Sequence, residues 1–223
     1  MTYQVFIGYS SEDNDKAQHI HDSLRRIVQI QPYKAEFYPD YGEDFKERIL
    51  NKLYESYFMV VFLTANGTRS QWVNQEIGCA YALKKRLRPL YVELPHIIPI
   101  SESQTELKGF ITKDTIDILF LDKFPCFEDV MANVIFTIRK YIPRGLEKDV
   151  LSVYITCPNC INEEGLPFEY KDWIPSHETI YKVMMSDSQP LLAYSCPNCY
   201  TKTAVDARTF LPIRLSGVDF ANY

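Results

Sequence analysis

Apolar residues in the N-terminal two-thirds of the chain follow two alternating rhythms, short unbroken runs and stripes at three- and four-residue spacing. The first run, residues 3–7, reads as a buried strand, and the polar stretch from Gly8 to Asp13 reads as a turn and helix entry. Ala17, Ile20, Leu24, Ile27 and Val28 then share one helix face. Residues 35–38 predict a short second strand, Pro39-Asp40-Tyr41-Gly42 breaks it, and Phe45, Ile49, Leu50 and Leu53 resume helical period. The run from Phe58 to Leu63 is apolar throughout, the pattern of a central parallel strand covered on both faces. A helix over 72–87, strands over 89–94 and 115–121, and a helix from Phe127 to Tyr141 complete the series. Such alternation predicts an α/β fold, a parallel five-stranded sheet with helices on both faces. Ligands bind such sheets beyond the C-terminal ends of the strands, which here carry residues 8–11, 40–45 and 64–70.

Pro143-Arg144-Gly145 and the charged run after it mark a boundary, dividing the chain into domains at 1–145 and 146–223. Four of the six cysteines, Cys157, Cys160, Cys196 and Cys199, form two Cys-Pro-Asn-Cys tetrapeptides separated by residues 161–195. Each follows a strand-like run, so the second domain looks like a small, mainly β zinc ribbon. Four thiolates fill a tetrahedral site, and the zinc ion is therefore expected to hold the fold and leave water unactivated. A redox pair, the competing reading of one Cys-x-x-Cys, does not explain two. Cys79 and Cys126 fall in apolar helical patterns and read as small core residues. The insert carries Phe168, Tyr170, Trp173, Tyr181 and Met184-Met185, which suit either a meagre core or a surface for a downstream protein partner; His177 is a spare ligand or a surface residue. A net charge of -5 argues against nucleic acid as the main partner, although a local basic patch on the zinc module stays open. The chain lacks a basic segment followed by an apolar one at its start, and no run reaches the roughly 18 apolar residues of a membrane span. The expected location is the cytoplasm, without membrane contact.

Ser70-Gln71-Trp72-Val73-Asn74-Gln75-Glu76 opens the helix after the central strand. Residues four apart share a helix face, so the Glu76 carboxylate and the Trp72 indole can border one pocket, with Val73, Ile77, Ala80 and Leu83 as the opposite, core-packing stripe. An acid beside an aromatic wall suits chemistry in which positive charge develops on a sugar carbon. The competing reading is an ordinary solvated glutamate.

Several segments together resemble the Toll/interleukin receptor (TIR) domain, a flavodoxin-like fold, over approximately residues 3–143. Val5-Phe6-Ile7-Gly8-Tyr9-Ser10-Ser11-Glu12-Asp13 looks like the family's first box, with Gly8 where the family usually has Ser, a conservative departure. The stretch from Phe37 to Phe45 is similar to the BB loop, though shorter than most, and the stretch from Glu55 to Thr64 to the entry of the third strand. The segment from Ser70 to Glu76 is similar to the Ser-x-x-Trp-x-x-x-Glu stretch with one fewer spacer. Some TIR domains only associate with one another, and others cleave NAD between nicotinamide and ribose. The resemblance implies a NAD glycohydrolase in immune or defence signalling, with NAD as substrate, Glu76 as the catalytic carboxylate and activity on self-association. It implies that Trp72 walls the pocket, that Phe45 contacts nicotinamide, that Tyr9, Ser10 and Ser11 meet the pyrophosphate and that Asp40 bonds a ligand hydroxyl. Core packing for Trp72 and Phe45, N-capping for Ser11 and chain turning for Asp40 are the structural alternatives. Many NAD-cleaving members carry a basic residue after the first-box Tyr, where this chain has Ser10-Ser11. A non-enzymatic TIR scaffold and a nucleoside-cleaving hydrolase with one catalytic Glu are the competing functions.

Overall fold

The unbroken apolar runs become strands because both faces of the sheet are covered, and the periodic segments become helices that cover it. The computed structural model describes residues 2–35, 43–87, 92–112, 117–142, 151–186 and 190–213, the side chains of residues 43–45, 86, 87, 92 and 177 excepted. Contacts divide the chain into two units, Met1–Arg25 with Gln29–Asp149, and Arg26–Val28 with Val150–Tyr223.

The first unit runs β1 (Tyr3–Gly8), α1 (Asn14–Arg25), β2 (Ile30–Lys34), α2 (Glu43–Glu55), β3 (Phe58–Leu63), α3 (Gln71–Leu83), β4 (Lys85–Leu87), β5 (Val92–Leu94), β6 (His96–Ser101), β7 (Leu119–Phe120) and α4 (Phe127–Tyr141). Its main sheet has the order β2-β1-β3-β6-β7 with every pair parallel, the five-stranded parallel sheet expected from the alternation, in the flavodoxin-like form that the resemblance implies. All six residues of β3 are buried at its centre. One face packs Met59, Val61 and Leu63 with Phe6 against Ile49 and Leu53 of α2 and Val73, Ile77 and Ala80 of α3. Phe62, from the other face, stacks on Phe127 of α4.

Four boundaries differ from the expected ones, each for a physical reason. First, α1 stops at Arg25, and Ile27 instead bridges Val153 in the second unit. Apolar spacing reports burial, and here the burial is against a different core. Second, β2 spans Ile30–Lys34 instead of starting at Ala35, and residues 36–38 lie outside the described residues. Pro32 obscures this strand in the sequence, but β2 is an edge strand, where a missing N–H is tolerated. Third, α3 ends at Leu83, short of residue 87, and β4 and β5 form an antiparallel hairpin. The fourth strand of the main sheet is β6, not residues 89–94. Pro99 interrupts its apolar run; it lies opposite Val61 of β3, while β7 pairs only with Ile100 and Ser101. Fourth, the last strand is just Leu119–Phe120, with residues 113–116 outside the described residues.

In the second unit, β8 (Ser152–Ile161) and β9 (Pro167–Trp173) form one antiparallel hairpin, and β10 (Leu191–Ser195) and β11 (Lys202–Asp206) another, with α5 (His177–Ser186) between them. Its buried residues include Val153, Ile155, Tyr170, Ile180, Tyr194, Val205 and Phe210. Trp173, Tyr181 and Met185 of the aromatic insert are largely exposed, so only part of the insert serves the core.

Candidate functional site

The sequence between β3 and α3 fixes where α3 begins. At Gly67, which starts a short 3-10 turn, a Cβ would lie 2.0 Å from the Phe62 carbonyl oxygen, so no side chain fits. The Gly67 N–H donates to Thr64 Oγ1, and Ser70 caps α3 by accepting from the Val73 N–H at 3.3 Å. Ser70→Ala is expected to cost about 1 kcal/mol in urea denaturation. An unchanged midpoint would mean that the Val73 N–H finds another acceptor.

From this start, α3 turns Glu76 inward. Glu76 is only 4% exposed, and its Oε2 has no hydrogen-bond partner among the described residues. The solvated reading of this glutamate is therefore wrong, and so is its placement opposite the core stripe. Val73, Glu76, Ile77 and Ala80 are spaced three, one and three residues apart, which is one buried face. That signal was present in the sequence, masked by the charge. Burial lifts the Glu76 carboxyl from the ordinary 4.5 to about 8, and the neighbouring Trp72 side chain opposes this by a smaller amount.

Glu76 lines a cavity of about 160 Å³ between α2 and α3, together with Lys46, Ile49, Leu50, Leu53, Trp72, Gln75 and Cys79. Trp72 both borders this cavity and packs against the core, so its two readings hold together. Beyond the carboxyl lies the end of β1, where a Cβ at Gly8 would come within 2.8 Å of Glu76 Oε2. A side chain at position 8 would therefore press on that carboxyl oxygen.

The remaining first-box side chains are engaged within the protein. Tyr9 donates its hydroxyl to the Ala35 carbonyl at 2.7 Å, and Ser10 donates to Asp13 Oδ2 at 2.7 Å. Thr64 donates to the same Asp13 oxygen at 2.7 Å, and Lys16 pairs with the other at 3.5 Å, tying the ends of β1 and β3 to the start of α1. Ser11 donates to Glu12 on the surface. Asp40 and the side chain of Phe45 lie outside the described residues. A cation that sequence reading missed comes from the neighbouring strand: Lys34 Nζ lies 5.6 Å from the Tyr9 ring centre, held by Gln18 and Asn14. Only the β1–β2 register brings it there, so a motif search along the chain cannot find it.

A family model of the TIR domain matches residues 5–119, more than half of the chain. The chain belongs to the TIR-domain family. Comparison with curated proteins yields no match. In the TIR domain a larger cavity, about 640 Å³, lies on the other flank of α3, lined by Arg69, Asn74, Ile77, Glu102, Lys108 and Phe110 among others. Neither of its acids, Glu102 or Glu106, is buried, and the buried unpartnered carboxyl belongs to the smaller cavity. No helix among the described residues is long and apolar enough to cross a membrane.

C-terminal to the TIR domain, β8 and the turn between β10 and β11 bring Cys157, Cys160, Cys196 and Cys199 together, with all four sulfurs within 4.8 Å of one another. The Cys157–Cys199 and Cys160–Cys196 sulfur separations are 3.6 and 3.9 Å. A tetrahedral ion with metal–sulfur bonds of about 2.3 Å needs edges of about 3.8 Å, so the donor set fits zinc. The Asn159 N–H points at Cys157 Sγ at 3.4 Å, and the Asn159 amide links to Thr201 on the other knuckle. Hydrogen bonds from Thr201 pull the Cys199 thiol down to about 6, while those with Cys199 first and then the other cysteines push Cys160 up to about 12.

Proposed function

We propose that this TIR domain is a NAD glycohydrolase that cleaves the nicotinamide–ribose bond, giving ADP-ribose, its cyclic form or both, and acts in defence signalling when self-assembled. The observation that supports it best is the buried Glu76 carboxyl with an unpartnered oxygen at a cavity walled by Trp72. Nicotinamide leaves as a neutral ring, so no acid is needed to protonate it, and one carboxylate can stabilise the oxocarbenium-like ribose by charge and by accepting its hydroxyls. Lys34 beside Tyr9 offers the phosphates a cation in place of one after the first-box tyrosine.

The catalytic form is the carboxylate, and the free acid titrates near 8. Between pH 7 and 8, kcat/KM is therefore expected to rise about fivefold, because that ratio follows the free enzyme's ionisation. A profile flat over this range would show that Glu76 does not limit the reaction.

The deciding assay incubates the concentrated full chain with NAD, with and without a crowding agent, beside Glu76→Ala, and separates the products. Nicotinamide release by the wild type alone supports the enzyme. Intact NAD from both, in assembled as well as dilute protein, returns the chain to the second reading, a TIR scaffold for protein assembly. The cavity size favours that second reading, since about 160 Å³ is below the roughly 300–1,000 Å³ of most ligand pockets and takes only one end of a dinucleotide.

For residues 146–223 we propose a zinc-ribbon-like domain in which Cys157, Cys160, Cys196 and Cys199 hold structural zinc. The ion has its full set of thiolates, so its contribution is to the fold. No step of NAD cleavage is assigned to it.

A further inference from the structure

The end of β1 lies against the Glu76 carboxyl. Gly8 is buried, and the space a Cβ would take there is bounded by Glu76 Oε2 at 2.8 Å, Met59 Cε at 3.1 Å and Val61 Cγ2 at 3.5 Å. The carboxyl thus rests in the volume left by the missing side chain. Two of its neighbours there are the ends of apolar side chains, neither of which can donate a hydrogen bond. The oxygen nearest Gly8 is also the one without a partner.

We infer that Gly8 is a positioning residue for Glu76: its missing side chain is the seat in which Oε2 rests without a donor, which leaves that oxygen to accept the hydroxyls that a ribosyl ligand brings. The inference rests on the glycohydrolase reading for its ligand, but the seat itself is a property of the free protein. A donor built into the protein would hold the carboxylate permanently and weaken its response to the ligand. An empty apolar seat does the opposite. It keeps the resting acid neutral and makes its ionisation depend on what enters the cavity.

Among the described residues lining the same cavity, the titratable groups besides Glu76 are Lys46 from α2 and Cys79 from α3. β1 and β3 present Gly8, Met59 and Val61, none of which titrates. A serine at position 8 would bring the nearest hydroxyl to the carboxyl, while alanine would fill the seat without a donor. Both meet only the far ends of the flexible Glu76 and Met59 side chains at under 3.4 Å, so the fold has room to adjust.

The test is a carbon-13 titration of the side-chain carboxyls in the glutamate-labelled full chain, with Glu76→Gln identifying the resonance. In the wild type, Glu76 is expected to titrate near 8. In Gly8→Ser it should titrate about one pH unit or more lower, the effect of a hydroxyl donor on a buried carboxylate, and in Gly8→Ala by a smaller amount. The acid limb of kcat/KM should move with it. If all three proteins titrate at one pH, Gly8 does not position the acid and the inference falls; should Gly8→Ser not fold, the alanine variant decides. NAD cleavage with an unmoved limb also overturns the inference and leaves the glycohydrolase reading standing. A shifted titration in a protein that never cleaves NAD keeps the seat and removes the glycohydrolase.

Discussion

Glu76→Gln is expected to abolish NAD cleavage and, at pH 8 to 9, to yield a more stable protein than the wild type. Both effects come from the same burial. The folded state lifts the carboxyl from 4.5 to about 8, so between these values the folded protein keeps a proton that the unfolded chain has released. The stability that the neutral buried acid contributes is complete below pH 4.5 and is lost as pH rises to about 8. At about 1.4 kcal/mol per pH unit, that loss is on the order of 5 kcal/mol. Glutamine escapes it because it never ionises, but its amide gains donors that the apolar seat cannot satisfy, a cost of about 1–3 kcal/mol at every pH. The two stability curves should therefore cross between pH 5 and 8, with the variant weaker on the acid side by about 1–3 kcal/mol and stronger on the basic side by about 2–4 kcal/mol. Urea denaturation at pH 5, 7 and 9 reads this directly. A difference that does not change with pH would mean that the carboxyl is solvated and not buried against Gly8.

Removing the metal from the cysteine cluster is expected to unfold the second unit. Structural zinc on thiolates contributes on the order of 10 kcal/mol of apparent free energy to small domains, more than a core of this size supplies by itself. The full chain should carry stoichiometric zinc as purified. A strong chelator at neutral pH, or Cys157→Ser, should remove it together with the dispersed amide resonances of the β8–β9 and β10–β11 hairpins. Resonances of the parallel sheet should persist, since none of the four sulfurs belongs to its core. NAD turnover retained after chelation would assign the metal a structural role alone. Absence of zinc from the purified chain, with Cys157→Ser melting like the wild type, would sink the metal site.

Much of the fold is legible because apolar runs and apolar stripes report burial from both sides or from one. β3 shows this at its clearest, every residue of it apolar and every one buried. The same signal fails where proline stands inside a strand. Pro32 in β2 and Pro99 in β6 stand in strands that the apolar pattern left unassigned; β2 is an edge strand, and β7 does not pair with β6 at Pro99. It misleads at Ile27, whose burial is genuine but belongs to the second unit.

At the candidate site the chain alone determined the residue types and their order: a glutamate one turn after a tryptophan behind a central strand, and two Cys-Pro-Asn-Cys knuckles. Local covalent spacing is enough for these, since helix pitch and knuckle geometry act over four residues. The tertiary structure decided the rest. It buried Glu76 instead of leaving it in water, engaged Ser10 and Tyr9 within the protein, brought Lys34 to Tyr9 from another strand, and gave the carboxyl a seat against Gly8. All of these but the Ser10–Asp13 bond depend on contacts between residues far apart in the chain, and the protonation of a buried acid is set by such neighbours, not by its position in a motif.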